Sequence, residues 1–270
     1  MAHTFDIIAP VDLAPVAEVA IGVQFEPLTG CTGGHLGWYW RECLADWPIA
    51  SDAPALPPEF ERFQAQGSRI ATPQIILQEL TSARLQVANP AGDRLVQVQR
   101  DKLFYNWRRR SAYPGFESLL GEFLDRFHAF CRFAAEVGLG TVVPNQWEVL
   151  YVDHVRKSAG WETPSDWHRF FPGLFPACPG PPTITCESAS VQWKYELPPE
   201  RGRLYVSAQH VLNTETAEEA LQLQSLARGP IRADRLDQSL EAGLRLGHDS
   251  VSSIFRAIAS ETALQTWGLG

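Results

Sequence analysis

The chain is predicted to be an α+β protein made of two similar halves, residues 1–140 and 141–270. Three observations carry this reading. Short alternating apolar and polar runs cluster at 74–110 and again at 183–226, as antiparallel strands do. A long run with helical periodicity follows each cluster. Each half also opens on a strand with a related start, Ala17-Glu18-Val19 against Trp147-Glu148-Val149.

In chain order, residues 15–27 read as a strand bracketed by Pro15 and Pro27. Val19, Ile21, Val23 and Phe25 share one face, and Glu18, Gly22, Gln24 and Glu26 the other. Thr29 to Gly34 form a turn with Thr32 as a cap. Leu36, Trp40, Cys43, Leu44 and Trp47 then mark one face of a helix that Pro48 stops. Residues 48–60, with Pro48, Pro54, Pro57 and Pro58, read as an irregular excursion. Strands are expected at Ile75–Leu80, Arg84–Ala88, Leu95–Arg100 and Lys102–Arg108, with a turn at Asn89–Asp93. Tyr113-Pro114-Gly115 ends the meander, and a helix runs from Phe116 to Val137 with Leu119, Leu120, Phe123, Phe127, Phe130, Cys131 and Ala134 on its apolar face.

The second half repeats the order. Gln146–Val155 is a strand. Residues 158–182 contain six prolines and one short helix near Ser165–Phe171. Extended runs follow at Thr183–Leu197, Arg203–Leu212 and Ala217–Leu226, and a helix from Asp234 to Trp267 ends the chain. This order is similar to the helix-grip and TATA-binding-protein-like arrangement, in which two repeats share one continuous curved sheet packed as one compact unit. Pairing the two first strands about a twofold axis would give Glu18 and Glu148 related positions.

Composition narrows the function classes. A net charge of −8 disfavours non-specific binding to nucleic acid or anionic lipid, though a local basic patch remains compatible with it. The five cysteines are odd in number and form no CxxC pair, so reduced thiols in a cytoplasmic protein are expected. No stretch has the length of a membrane span, and the first residues lack the pattern of a signal peptide.

Several segments resemble a sporadically distributed bacterial family of uncharacterised proteins. They are Pro15-Val16-Ala17-Glu18-Val19, Asn106-Trp107-Arg108 followed by Tyr113-Pro114, the strand Glu148–Val155, and His248 then Phe255 in the last helix. The family's Tyr-Val-Asn is Tyr151-Val152-Asp153 here, which puts in doubt any polar role carried to that position. The resemblance implies the architecture and brings no activity, cofactor or ligand with it.

The strongest local feature is Asn106-Trp107-Arg108-Arg109-Arg110, whose arginines suit phosphate or carboxylate and whose indole could stack on a ring. Solvated pairs of these arginines with Glu117, Glu122 or Asp125 are the structural alternative. Glu18, in an otherwise apolar strand, needs a donor or a proton, and Arg108–Arg110 are candidate partners. With Tyr113, Glu148 and Asp153, these residues form the expected ligand- or partner-binding set. Asp153 and His154 must face opposite ways. Asp166 and His168 lie in the proline-rich stretch. Cys31, before a helix and near His35, is the best nucleophile candidate. No metal-ligand spacing, phosphate loop or nucleophile elbow occurs, so neither metal nor cofactor is expected.

The expected function is non-enzymatic binding, through a concave sheet or the groove beneath the long helices, of a protein partner or a small ligand. Two alternatives stand beside it. One is an enzyme on a small apolar substrate, with Glu18, Asp153 or His154 as acid and base. The other is nucleic-acid binding through Arg108–Arg110. Membrane association is not expected, and homodimerisation is left open.

Overall fold

A computed structural model describes residues 14–61, 63, 83–176, 183–198, 200–212, 218–232 and 239–269. It shows an α+β fold built on one open, curled, nine-stranded antiparallel sheet. The strands are β1 (Val16–Phe25), β2 (Ile49–Pro54), β3 (Ala83–Ala88), β4 (Arg94–Gln99), β5 (Lys102–Arg108), β6 (Pro144–Arg156), β7 (Ser190–Leu197), β8 (Gly202–Leu212) and β9 (Glu219–Pro230). The helices are α1 (Gly33–Cys43), α2 (Phe116–Glu136), α3 (Leu240–Ile258) and α4 (Glu261–Thr266). The strand order is β2-β3-β4-β5-β1-β6-β9-β8-β7, which puts β1 and β6 at the centre.

The helices cover one face, the one on which nearly every side chain of the central strands is apolar. Val19, Ile21, Val23 and Phe25 of β1, Leu103, Tyr105 and Trp107 of β5, and Trp147, Val149 and Tyr151 of β6 all point into it. The apolar stripe of α2 (Leu119, Phe123, Phe127, Phe130) closes over β1 and β5. Leu244, Val251 and Phe255 of α3 close over β6 and β9. These side chains form one continuous core from edge to edge.

The Trp147 indole sits directly beneath α3, and glycines make this approach possible. A Cβ at Gly243 would lie 2.2 Å from Trp147 Cδ1, and one at Gly247 would lie 2.8 Å from its Cζ3. The two glycines are four apart, so they share one helix face. The proline-rich stretch after β6 also joins the core. Trp161, Trp167, Phe171 and Phe175 are buried, and Phe171 meets Phe255 of α3 edge-on at 6.0 Å between centroids.

Several boundaries differ from expectation. The excursion at 48–60 contains strand β2, whose residues pair with β3 in the register Ile49↔Ala88 to Pro54↔Ala83. Its alternation is masked because it is an edge strand, largely exposed. The last helix stops at Ile258: Ala259 is extended with ψ 147°, and Ser260 caps α4 through Ala263 N–H at 3.2 Å. Strand β7 begins at Ser190 rather than Thr183, and β9 runs on to Pro230. The strand expected at Ile75–Leu80 lies outside the described residues. Among the described residues no helix is long and apolar enough to cross a membrane.

Candidate functional site

Among the described residues no helix covers the other face of the sheet, which carries a row of polar side chains. Successive strands bring Gln86 and Gln97, Asn106, Glu18, His154, Gln222 and Gln224 onto it by period-two alternation. They are linked side chain to side chain. Gln86 Nε2 donates to Gln97 Oε1 (2.9 Å), Gln97 Nε2 to Asn106 Oδ1 (2.9 Å), and Asn106 Nδ2 to Glu18 Oε1 (2.6 Å). Arg108 Nε lies 3.7 Å from the same Glu18 oxygen. On the far side of β6, Gln224 Nε2 donates to Gln222 Oε1 (3.0 Å), and Gln222 Nε2 is 3.0 Å from His154 Nε2.

Residues 55–61 cross this face as a strap. Pro57 and Pro58 carry no N–H, so few backbone donors need partners there. Three that do are met by glutamines of the sheet. Leu56 N–H donates to Gln99 (2.9 Å), Glu59 N–H to Gln24 (3.1 Å) and Glu61 N–H to Gln146 (3.2 Å). The same carboxamides donate back: Gln99 to the Leu56 carbonyl (2.9 Å), and Gln24 and Gln146 to that of Glu59 (3.2 and 2.7 Å). Lys102 Nζ donates to the Pro57 carbonyl (2.6 Å).

The strap ends in a carboxylate trap. The Glu61 side chain, 3% exposed, accepts from Arg203 (2.5 Å), Arg228 (2.6 Å) and Tyr205 OH (2.8 Å), and Glu59 also contacts Arg228. Arg203 in turn lies over the Phe63 ring at 4.6 Å.

Beside the strap the face remains open as a trough of about 660 Å³. Ala20, Phe104, Leu150 and Val152 floor it, and Gly22 leaves the space that the Phe104 ring fills. Arg84, Arg108, Arg109, Arg110 and Arg156 line it, against Glu18 and Glu148. On a chain of net charge −8 this is a locally basic surface. Burial holds the His154 imidazole pKa below its ordinary value, aided by Arg156.

Glu18 and Glu148 occupy corresponding places. Ala20 faces Leu150 in the central pair, and each glutamate stands two residues before that point. Each also faces an arginine on its outer neighbour, Arg108 for Glu18 and Arg228 for Glu148. Only the first pair forms. Arg228 is drawn to Glu59 and Glu61 of the strap, and Glu148 has no hydrogen bond or ion pair with any described residue. Burial, and the Glu61 charge nearby, raise the Glu148 pKa to about 7, although Lys102 acts in the opposite direction.

The expected set is therefore divided between two faces. Trp107 does not stand with the arginines. Alternation turns it to the helix side, where it is 1% exposed, packs on Tyr113 at 5.2 Å and donates to Ser111 Oγ at 3.3 Å. It cannot stack on a ligand of the trough. Arg109 donates to the Ala14 carbonyl at 2.5 Å, and the Arg110 guanidinium lies against Gly92. Arg108 pairs with Glu18; Glu117 contacts Arg245 instead, and Glu122 binds Arg94 at 2.8 Å. Asp153 and His154 do face opposite ways, so Glu18 and His154 share the trough while Asp153 lies beneath α3.

Tyr113, Tyr151, Asp153 and Phe255 meet on that helix side. Tyr113 and Tyr151 hydroxyls are 3.0 Å apart, Tyr151 OH is 2.8 Å from His248 Nδ1, and His248 stacks on Phe116 at 4.1 Å. Cys31 is not an activated thiol, since burial pushes its pKa up to about 11. Asp166 serves the local turn, accepting from Glu162 and Thr163 N–H at 2.9 and 3.1 Å, and His168 Nδ1 lies 2.7 Å from the Ser165 carbonyl. Among the described residues no group of three His, Cys, Asp or Glu side chains is placed to hold a metal.

No family model matches this chain, and neither a curated protein nor a solved structure is significantly similar to it.

The strap anchors Gln24, Gln99, Gln146 and Glu61, and the trough's Gln97, Gln222 and Gln224, were not among the residues expected from sequence. A signal for some of them was present: Val-Gln-Val-Gln at 96–99 and Leu-Gln-Leu-Gln at 221–224 place glutamine at every second position. Glutamine at strand period on the face away from the core is a surface built to hydrogen-bond.

Proposed function

We propose that this protein is a non-enzymatic binding module whose open sheet face takes an extended, acidic segment of a partner polypeptide. The strap carries this reading. It shows an extended chain lying across this sheet, its amides clamped by carboxamides and its carboxylates held by arginines. The trough beside it offers the same kit in Gln97, Asn106, Gln222 and Gln224 with Arg84, Arg108 and Arg156. Net repulsion from the whole chain is offset locally by the excess of arginine over glutamate there.

The same reading takes the sheet as an internal duplication of helix-grip type. Its support is the order β1-β5-β4-β3 on one side of the centre, extended by the edge strand β2, and β6-β9-β8-β7 on the other, with α2 following β5 as α3 follows β9. Membership of the bacterial family named above, and a cytoplasmic location, belong to this proposal as well.

The test is fluorescence anisotropy with a labelled glutamate-rich peptide, a lysine-rich control and a single-stranded oligonucleotide. The acidic peptide is expected to bind in preference to the control. Arg108→Ala with Arg156→Ala should weaken it by at least about tenfold, as loss of two charge-assisted contacts implies. Equal binding of both peptides, or no effect of the arginine changes, would sink the proposal. Tighter binding of the oligonucleotide, falling steeply with salt, would replace it with the nucleic-acid reading.

A further inference from the structure

A second cavity, of about 60 Å³, lies on the helix side between the start of β1, the end of β6 and the last turns of α3. The β1–β6 register shifts beside it: Val16 faces Asp153 and Glu18 faces Val152, so Ala17 is an extra residue that bulges β1 there, while His154 N–H still donates to the Pro15 carbonyl at 2.8 Å. Pro15, Val16, Val251, Phe255 and Leu269 supply apolar walls, and Tyr113 and Tyr151 close one end.

Into this apolar space projects one carboxyl group. Asp153 is 5% exposed and lines the cavity. No described residue donates a hydrogen bond to it or forms an ion pair with it. Arg256, at the rim, is exposed and donates to the Leu269 carbonyl at 2.7 Å, and it does not neutralise Asp153. An unpartnered buried carboxyl costs free energy that a bound cation would recover. The surroundings suit one. Tyr113, Tyr151 and Phe255 also line the cavity, and aromatic rings attract a nearby positive charge. The phenol oxygens are held in place by the chain from Tyr113 through Tyr151 to His248, and His248 is itself fixed on Phe116. A volume of about 60 Å³ accommodates roughly four to five water-sized groups, and so a short alkylamine but not an aromatic one.

We propose that this cavity binds the ammonium head of a small primary alkylamine, with Asp153 as its counter-ion and Tyr113, Tyr151 and Phe255 as its walls. The site is independent of the sheet-face trough, from which the sheet itself separates it.

The test is titration of the full chain, by calorimetry and ligand-observed NMR, with propylamine, neutral 1-butanol and butyrate. Propylammonium is expected to bind more tightly than 1-butanol, and butyrate not to bind. Asp153→Asn should weaken propylammonium by at least about tenfold and remove its advantage over 1-butanol. Equal binding of amine and alcohol, binding of neither, or an unaffected Asp153→Asn variant would overturn the proposal. Carboxyl carbon NMR of the unmodified protein is a second reading that needs no substitution. Saturating propylammonium should lower the midpoint of the Asp153 titration, and an unmoved midpoint would refute the pairing.

Discussion

Asp153 and Glu148 sit on the same strand and point to opposite faces, yet neither carboxyl has a hydrogen-bond or ion-pair partner among the described residues. Burial raises Asp153 from an ordinary 3.8 to about 7, and burial together with Glu61 raises Glu148 from 4.5 to about 7. Between those limits the folded chain keeps protons that the unfolded chain has released. Stability therefore falls as pH rises through about 7, the reverse of what a salt-bridged carboxylate produces. For Asp153 the contribution lost is on the order of 4 kcal/mol at full ionisation, by the usual free energy per pKa unit. Urea denaturation should find the protein more stable at about pH 5 than at about pH 8. Asp153→Asn should flatten that slope and gain roughly 1–3 kcal/mol at the higher pH by removing the buried charge. A stability that rises with pH, or an unchanged slope in the variant, would contradict the burial described. At this scale the sequence was partly legible. Alternation with Val149 and Tyr151 is enough to put Asp153 on the core side. The same rule separates Trp107 from Asn106 and Arg108, although the three are consecutive in the chain.

Among the elements, the strap was the least legible. Residues 55–61 have prolines and no periodicity, so nothing local specifies where they lie. What places them is long-range: glutamines on β1, β4 and β6, and the Arg203–Arg228 pair on β8 and β9. Glu61 is the anchor, because without it two largely buried arginines lose their main counter-charge. Glu61→Ala is expected to cost about 3–5 kcal/mol in chemical denaturation and to open the strap to limited proteolysis. A cost under about 1 kcal/mol would mean that the pair behaves like a surface bridge. Helices α2 and α3, by contrast, were plain in the sequence, since each carries its own apolar stripe at helical spacing. The break at Ala259–Ser260 was harder to see because the stripe continues past it, and only the Ser260 cap marks it.

On the scale of the whole molecule, the sheet order makes β1 and β6 the most protected elements, each flanked by strands on both sides and covered by helices. Edge strands β2 and β7 are mostly exposed. Hydrogen exchange followed by mass spectrometry should show the slowest exchange in β1, β5, β6 and β9, and the fastest strand exchange in β2 and β7. Uniform protection across the sheet would argue against this order. Charge is also distributed at this scale, with five arginines lining one trough of an acidic chain.

The α+β class, the two strand clusters, the long helices and the core face of β1 were determined by the sequence alone, because side-chain periodicity is a local property of the chain. The joining of both clusters into one sheet, the course of the strap, and the isolation of Asp153 and Glu148 were decided only in the tertiary structure. Each depends on which distant side chains arrive beside a given residue. Arg228 stands across from Glu148 but pairs with Glu59 and Glu61, and no spacing along the chain encodes that choice.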